Sequence, residues 1–244
     1  MTDSLGDRMK FFYEDRDRHY LTRRIPVIIR VDGRAFHTYT KGFDRPFDSN
    51  IISAMKIAAE AVFDEVSGCK AAYIQSDEAS FLLTDFDRIT TEAWFDYAKS
   101  KIETIAASVM TAHFNQLMLP LPKARNKMAY FDARAWNIPE SDVVNYFLWR
   151  MRDWERNSVT MYASSFFSSK QMYGKSIRDR HDMLHSIGKN WSKDLNTRLR
   201  NGTLLVRSKS DNKIIDHVIE ERYNYELLNN VIGPLMEPIP EPSE

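Results

Sequence analysis

Three acidic residues stand where short extended runs end or turn: Asp32, and the adjacent pair Asp77 and Glu78. Carboxylates brought side by side repel unless a cation neutralises them or one takes a proton. A hard ion such as Mg²⁺ is held by one or two carboxylates together with phosphate oxygens. Two such ions about 4 Å apart activate an attacking hydroxyl and stabilise a leaving oxygen in phosphoryl transfer. The competing reading is structural, since Asp at a turn often bonds nearby amides; from the residues alone both readings stand. Directly after Asp32 comes Gly33-Arg-Ala-Phe-His37. A glycine at a strand end lets the backbone bend so that successive amides face a phosphate. His37, Lys41 and Arg45 add donors in the same loop, and Lys99 and Lys101 on a later helix are expected to reach the same edge. An ordinary basic surface loop is the blander alternative.

Whether Asp32 meets Asp77 depends on the elements that carry them. Residues 26–32 read as a buried strand ended by Gly33. Over 51–66 apolar residues recur at helical spacing behind Asp48 or Ser49 as the cap, and Gly68 ends the helix. Strands at 71–75 and 79–83 flank Ser76-Asp-Glu78. A helix over 91–115 follows, with Phe95, Ile102, Ile105, Ala106 and Val109 on its apolar side, and then a strand at 128–132. The order β-α-β-β-α-β predicts an α+β, ferredoxin-like sheet. Its first and third strands are central, antiparallel neighbours. The end of the first then lies beside the turn joining the second and third, which sets Asp32 next to Asp77 and Glu78.

After Pro139 the pattern changes to a long aromatic helix over 143–167, shorter helical pieces at 177–187 and 191–199, and a small hairpin of 202–207 with 214–219. The expected organisation is a catalytic domain with a polar lead-in over 1–136, a helical and hairpin extension over 137–236 packed on it, and a disordered Pro/Glu-rich tail over 237–244.

The 244 residues carry 34 Lys+Arg and 34 Asp+Glu, but the charges are not spread evenly. Residues 165–213 hold eleven Lys/Arg against four Asp/Glu, whereas 214–244 hold seven acids and one Arg. Screening confines charge communication to about 10 Å, so such a basic stretch can attract phosphates despite overall neutrality. A solvated helical face is the simpler account of the same charges. No stretch approaches the roughly 18 apolar residues of a membrane span. The first residues lack a basic flank and apolar run, so export is not expected and the cytoplasm is the expected compartment. The lone Cys69 excludes an internal disulfide and a multi-cysteine zinc site. Two partial motifs are set aside. Tyr173-Gly-Lys-Ser176 lacks the leading glycine and strand of a P-loop, and His181-Asp-Met-Leu-His185 lacks the general-base Glu of zinc proteases. The aromatics Tyr146, Phe147, Trp149 and Trp154 read as core rather than as a stacking platform.

Arg30-Val-Asp-Gly-Arg-Ala-Phe-His37, Phe43-Asp-Arg-Pro-Phe-Asp48 and Tyr73-Ile-Gln-Ser-Asp-Glu-Ala-Ser-Phe81 together resemble the signatures of the tRNA(His) guanylyltransferase family. That family includes the guanylyltransferase-like 3′–5′ RNA polymerases. The resemblance implies a polymerase-type palm that adds nucleotides to the 5′ end of tRNA. A 5′-monophosphate is first activated with ATP or GTP, and the 3′-hydroxyl of an incoming GTP or other NTP then attacks it. It further implies that Asp32 and Asp77, with the main-chain oxygen of Gly33, hold two Mg²⁺ ions, and that Glu78 supports or adjoins that cluster. Arg34, Ala35 and Phe36 through their backbone, with His37, Arg45, Asp48, Ser76 and Lys101, are implied to bind nucleotide phosphates. Trp149-Arg-Met-Arg-Asp153 matches a further family run, but Glu155 replaces a histidine expected after it and only Asn157 survives of the following segment. This departure favours the branch that repairs 5′-truncated tRNAs by templated addition over strict G−1 addition to tRNA(His). Lys170, Lys175, Arg178, Arg180, Lys189, Arg198 and Arg200, with Asn157, become candidate tRNA contacts. A homotetramer is expected by the same resemblance. The competing functions are a palm-type nucleotide cyclase or cyclic-dinucleotide synthase, and a catalytically silent tRNA-binding protein.

Overall fold

The computed structural model describes residues 4–208, 210–218 and 222–239. A short helix, α1 (Leu5–Phe12), precedes β1 (Val27–Gly33), whose β-branched start favours extended backbone. One helical turn, α2 (Phe36–Tyr39), leads to α3 (Ser49–Glu65). Asp48 caps α3 by accepting from the Asn50 and Ile51 amides. The strands β2 (Cys69–Gln75) and β3 (Glu78–Leu83) form a hairpin around Ser76-Asp77, and α4 (Lys99–Met118) leads to β4 (Phe131–Asn137). The second half contains α5 (Glu140–Ala163), α6 (Ser169–Met172), α7 (Ile177–Ser186), α8 (Trp191–Asp194) and α9 (Thr197–Asn201). It ends with β5 (Thr203–Arg207), β6 (Ile214–His217) and α10 (Tyr225–Met236).

All six strands share one antiparallel sheet of order β4-β1-β3-β2-β5-β6. Its first four members have the ferredoxin-like arrangement, with β1 and β3 central and Asp32 directly opposite Glu78. Side chains alternate across β1 as a strand requires. Val27, Ile29 and Val31 pack with Met55, Val62 and Phe63 of α3 and Ile102 and Met110 of α4. Ile28 turns the other way, joining Tyr73 and Leu82 against Val143, Phe147 and Met151 of α5 and Leu228 and Ile232 of α10. With both faces covered, the inner strands β2 and β3 are buried almost throughout.

The C-terminal hairpin does more than pair with itself. β5 runs against β2, from Ala71↔Val206 to Ile74↔Thr203, so it continues the palm sheet. Gly202 permits the approach: at its φ of +75° an added Cβ would lie 2.6 Å from the Tyr73 hydroxyl and 2.7 Å from the Ile74 carbonyl oxygen. Residue 219, placed in the second hairpin strand by the sequence, lies outside the described residues.

Several boundaries differ from expectation. The helix expected from 91 begins at Lys99, because 94–97 form a 3₁₀ turn in which Phe95, Asp96 and Tyr97 all have positive φ. Phe95, expected on the apolar side, is 42% exposed. β4 starts at Phe131 rather than 128, and the aromatic helix ends at Ala163. In the tail expected to be disordered, the Ile239 amide donates to the Asp87 carbonyl at 3.0 Å, while 240–244 lie outside the described residues. No helix among the described residues is long and apolar enough to cross a membrane.

Candidate active site

The end of β1 and the β2–β3 turn are locked together. The Gly33 amide donates to the Asp77 carbonyl at 3.0 Å. A Cβ on Gly33 would lie 2.9 Å from the Asp77 Cβ, 3.1 Å from its Oδ2 and 2.5 Å from the Phe36 ring. Only glycine lets the Asp77 side chain rest against the residue after Asp32. Burial pushes the Asp32 carboxyl above its ordinary range, and the neighbouring charges of Glu78 and Asp132 add to this against the pull of Arg30 and Arg134. Asp77 is raised by burial first; the Ser76 hydroxyl opposes this, and the charges of Asp32 and Glu78 reinforce it. Two neighbouring acids whose ionised forms are both disfavoured by burial and by nearby carboxylates mark a corner suited to a cation.

The loop after Gly33 supplies donors. The Arg34 amide is spent on the Tyr130 carbonyl at 2.8 Å, so the expected run of phosphate-facing amides starts one residue later. Ala35 is left-handed, with φ of +52°, and starts α2 without a side-chain cap. Among the described residues the amides of Ala35, Phe36 and His37 have no acceptor. Ser76, across the gap, is also left-handed, at φ of +48°. Strained non-glycine backbone of this kind clusters at functional sites.

These groups border a cavity of about 630 Å³. The palm contributes Gly33, Ala35, Phe36, His37, Arg45, Asp48, Ser76 and Asp77. The far wall comes from the second half: Trp154, Met161, Ser164 and Ser165 of α5 and the following turn, with Arg198, Gly202 and Thr203. Asp48 is almost fully buried beneath the loop and accepts from the Asp44 amide as well as capping α3. Burial raises its carboxyl, but the amides of Asp44, Ile51 and Asn50 outweigh this and hold it below the ordinary range.

The structure rearranges several expected roles. Glu78, expected to support or adjoin the metal-binding pair, is buried and its two oxygens accept from Arg150 Nε and Nη2 at 2.7 and 2.6 Å. Lys99 and Lys101 do not reach the cavity within this chain. They lie at the start of α4, where the Lys99 amide meets the His19 carbonyl and Glu103 accepts from the Ala135 amide, opposite Ile29. The far part of α4 reaches the catalytic end, where Thr111 accepts from the Phe131 amide opposite Gly33. Lys101 instead stands 5.7 Å from the Phe95 ring centre. Lys41 is also absent from the cavity wall.

Of the candidate tRNA contacts, Lys170, Lys175 and Arg178 are exposed, and Lys189 is exposed with its ammonium 5.4 Å from the Phe166 ring centre. The others have partners within the chain. Arg180 donates to the Thr160 hydroxyl, Arg200 lies over Trp191, and Asn157 donates to Asp153. Arg198 pairs with Asp216 and lines the cavity rather than an outer face. In the His181 and His185 pair, His181 packs edge-on to Trp191, and burial, then His185, lowers its pKa. Among the described residues no three His, Cys, Asp or Glu side chains are placed to hold a metal ion between them. Asp32 and Asp77 with free amides beside them fit the other mode, in which Mg²⁺ is held by a carboxylate pair and the phosphates of its nucleotide.

A ferredoxin-like sheet with one acid at the end of β1 and a second in the β2–β3 turn is the arrangement of a polymerase-type palm. The chain belongs to the tRNAHis guanylyltransferase family, whose model matches residues 6–139. It is 29% identical over 204 residues to a probable tRNA(His) guanylyltransferase of Drosophila melanogaster, covering 75% of this chain and 67% of that one. A bacterial tRNA(His) guanylyltransferase-like protein solved in complex with ATP superposes with a TM-score of 0.86 at 35% identity, covering 96% of this chain and 99% of that one. A structure described as the same kind of bacterial protein in complex with GTP gives a TM-score of 0.78 at 32% identity, covering the same shares.

Proposed function

We propose that this chain adds nucleotides in the 3′–5′ direction to the 5′ end of tRNA, through NTP activation of a 5′-monophosphate and attack by the 3′-hydroxyl of an incoming NTP. The observation that carries the reading is the contact of Gly33 with Asp77 at the rim of the cavity, which brings two acids from separate loops to one corner. The relatives solved with ATP and with GTP support a nucleoside triphosphate as the occupant.

In this reading Asp32 and Asp77 hold two Mg²⁺ ions, which when bound supply the positive charge that stabilises the attacking and leaving oxygens. The Ala35, Phe36 and His37 amides, with Arg45, receive triphosphate oxygens as charge-assisted bonds. Asp48 fixes the 44–48 loop against α3 so that Arg45 is presented to the cavity. The apolar wall of Phe47, Ile52, Met55 and Trp154 takes the base and excludes water around it. Lys170, Lys175 and Arg178, exposed on the second half, attract the tRNA backbone. The departure at Glu155 and the following residues supports repair of 5′-truncated tRNAs as the main task, carried out by a homotetramer in the cytoplasm.

Incubation with Mg²⁺, labelled GTP and 5′-truncated tRNA tests this. Label should enter the RNA and stop when the template runs out. Label appearing only in a cyclic nucleotide, or nowhere, would refute it.

A further inference from the structure

Three carboxylates share one corner of the sheet: Asp32, Asp77 next to its neighbour Gly33, and Glu78 directly opposite Asp32 across β1 and β3. A centre that leaves room for phosphate oxygens wants few protein carboxylates. The third acid is diverted. Arg150 reaches it from α5 with a two-point fork, at 2.7 and 2.6 Å, on a side chain only 9% exposed. Gln75 Nε2 and the Ser80 hydroxyl add weaker contacts to Glu78 Oε1, at 3.3 and 3.4 Å. The guanidinium is itself pinned. Its Nη2 also donates to Asp153 at 3.2 Å, and its plane lies 4.5 Å from the Trp149 ring centre. The fork holds both oxygens of Glu78 at once, which a lysine cannot do.

We propose that Arg150 is a positioning residue for the metal pair: by occupying both oxygens of Glu78 it keeps that carboxylate off the cations and leaves a two-carboxylate site of Asp32 and Asp77. This rests on the assignment of those two acids as ligands above. A merely structural ion pair between α5 and the sheet would hold the fold but have no bearing on how tightly a divalent ion binds. Arg150 thus sets ligand number from α5, on the sheet face where Asp32 and Glu78 lie.

The test is direct Mn²⁺ binding to the full chain, read from the free-ion spin-resonance signal, with no nucleotide or RNA needed. Arg150→Gln frees Glu78 and should tighten Mn²⁺ binding about fivefold or more, because a third carboxylate joins the site. Arg150→Gln combined with Glu78→Gln should return the affinity to within about twofold of wild type, since the freed side chain no longer carries charge. If Arg150→Gln fails to fold, Arg150→Lys keeps a buried cation without the fork and should shift binding in the same direction. Unchanged or weaker Mn²⁺ binding in the folded variant overturns the proposal alone. A wild-type chain that binds no Mn²⁺ overturns the metal assignment and this proposal with it.

Discussion

Gly33 and Asp77 are joined main chain to main chain, and the space a Gly33 side chain would fill is taken by the Phe36 ring and the Asp77 side chain. The strand that ends in Asp32 and the turn that carries Asp77 therefore cannot drift apart without breaking a hydrogen bond inside the sheet's own edge. Gly33→Ala puts a methyl 2.9 Å from the Asp77 Cβ and 2.5 Å from Phe36, so the acids must separate. Nucleotide addition should fall by about 100-fold, as expected for an ångström-scale displacement at a reacting centre. Circular dichroism should stay close to wild type, and retained turnover would show that the contact is dispensable.

Asp32→Ala and Asp77→Ala should each lower single-turnover addition by about three orders of magnitude, the effect of losing several kcal/mol of transition-state charge stabilisation. Near wild-type turnover in either folded variant would remove it from the ligand set.

The same acids make a stability prediction without substrate. Their carboxyls are raised above the ordinary range, so the folded chain binds protons more strongly than the unfolded one. Without divalent ions, stability should rise as pH falls through those raised values and be lower at neutral pH, where both are charged. Asp77→Asn should therefore melt a few degrees higher than wild type at neutral pH in chelator. It should also lose the stabilisation that Mg²⁺ gives the wild type. A lower melting temperature for Asp77→Asn would contradict this.

Asp48 works in the opposite sense. Its carboxyl is held low by amides of the folded state, so its contribution is present at neutral pH and lost as pH falls through that lowered value. Asp48→Ala removes the α3 cap and the anchor of the Asp44 amide, which should cost about 1–2 kcal/mol in denaturant unfolding. Because Arg45 sits on the released loop, KM for the NTP should rise more than kcat falls.

Replacing Lys175 and Arg178 together with Ala should reduce the log–log salt slope of tRNA binding by about 1 to 2, while the KM for free NTP stays unchanged. An unaltered slope would place the RNA elsewhere on the surface.

The four-stranded palm core was legible because each strand is a short β-branched or apolar run punctuated by Gly or Asp, and because the connection order admits one neighbour for Asp32. The start of α4 was not, since Phe95 has helical spacing but a left-handed backbone that only the Tyr20↔Ala98 bridge and the packing around it explain. Where Lys101 stands was not legible either, since its place depends on which end of the helix meets the acids, and it lies beside Phe95 rather than on the cavity wall of this chain. Arg150 stood in the Trp149-Arg-Met-Arg-Asp153 run that carries part of the resemblance, but nothing in its spacing pointed to Glu78, 72 residues away. The hairpin of β5 and β6 was local and visible; its attachment to β2 spans more than a hundred residues and was not.

That attachment also settles how the molecule can be divided. A fragment cut after β4 would strip β2 of one of its two hydrogen-bonding neighbours, expose the Tyr73 ring and leave the cavity open on one flank. The acid-bearing strands and the last third of the chain should therefore melt together, and a single calorimetric transition is the expected outcome.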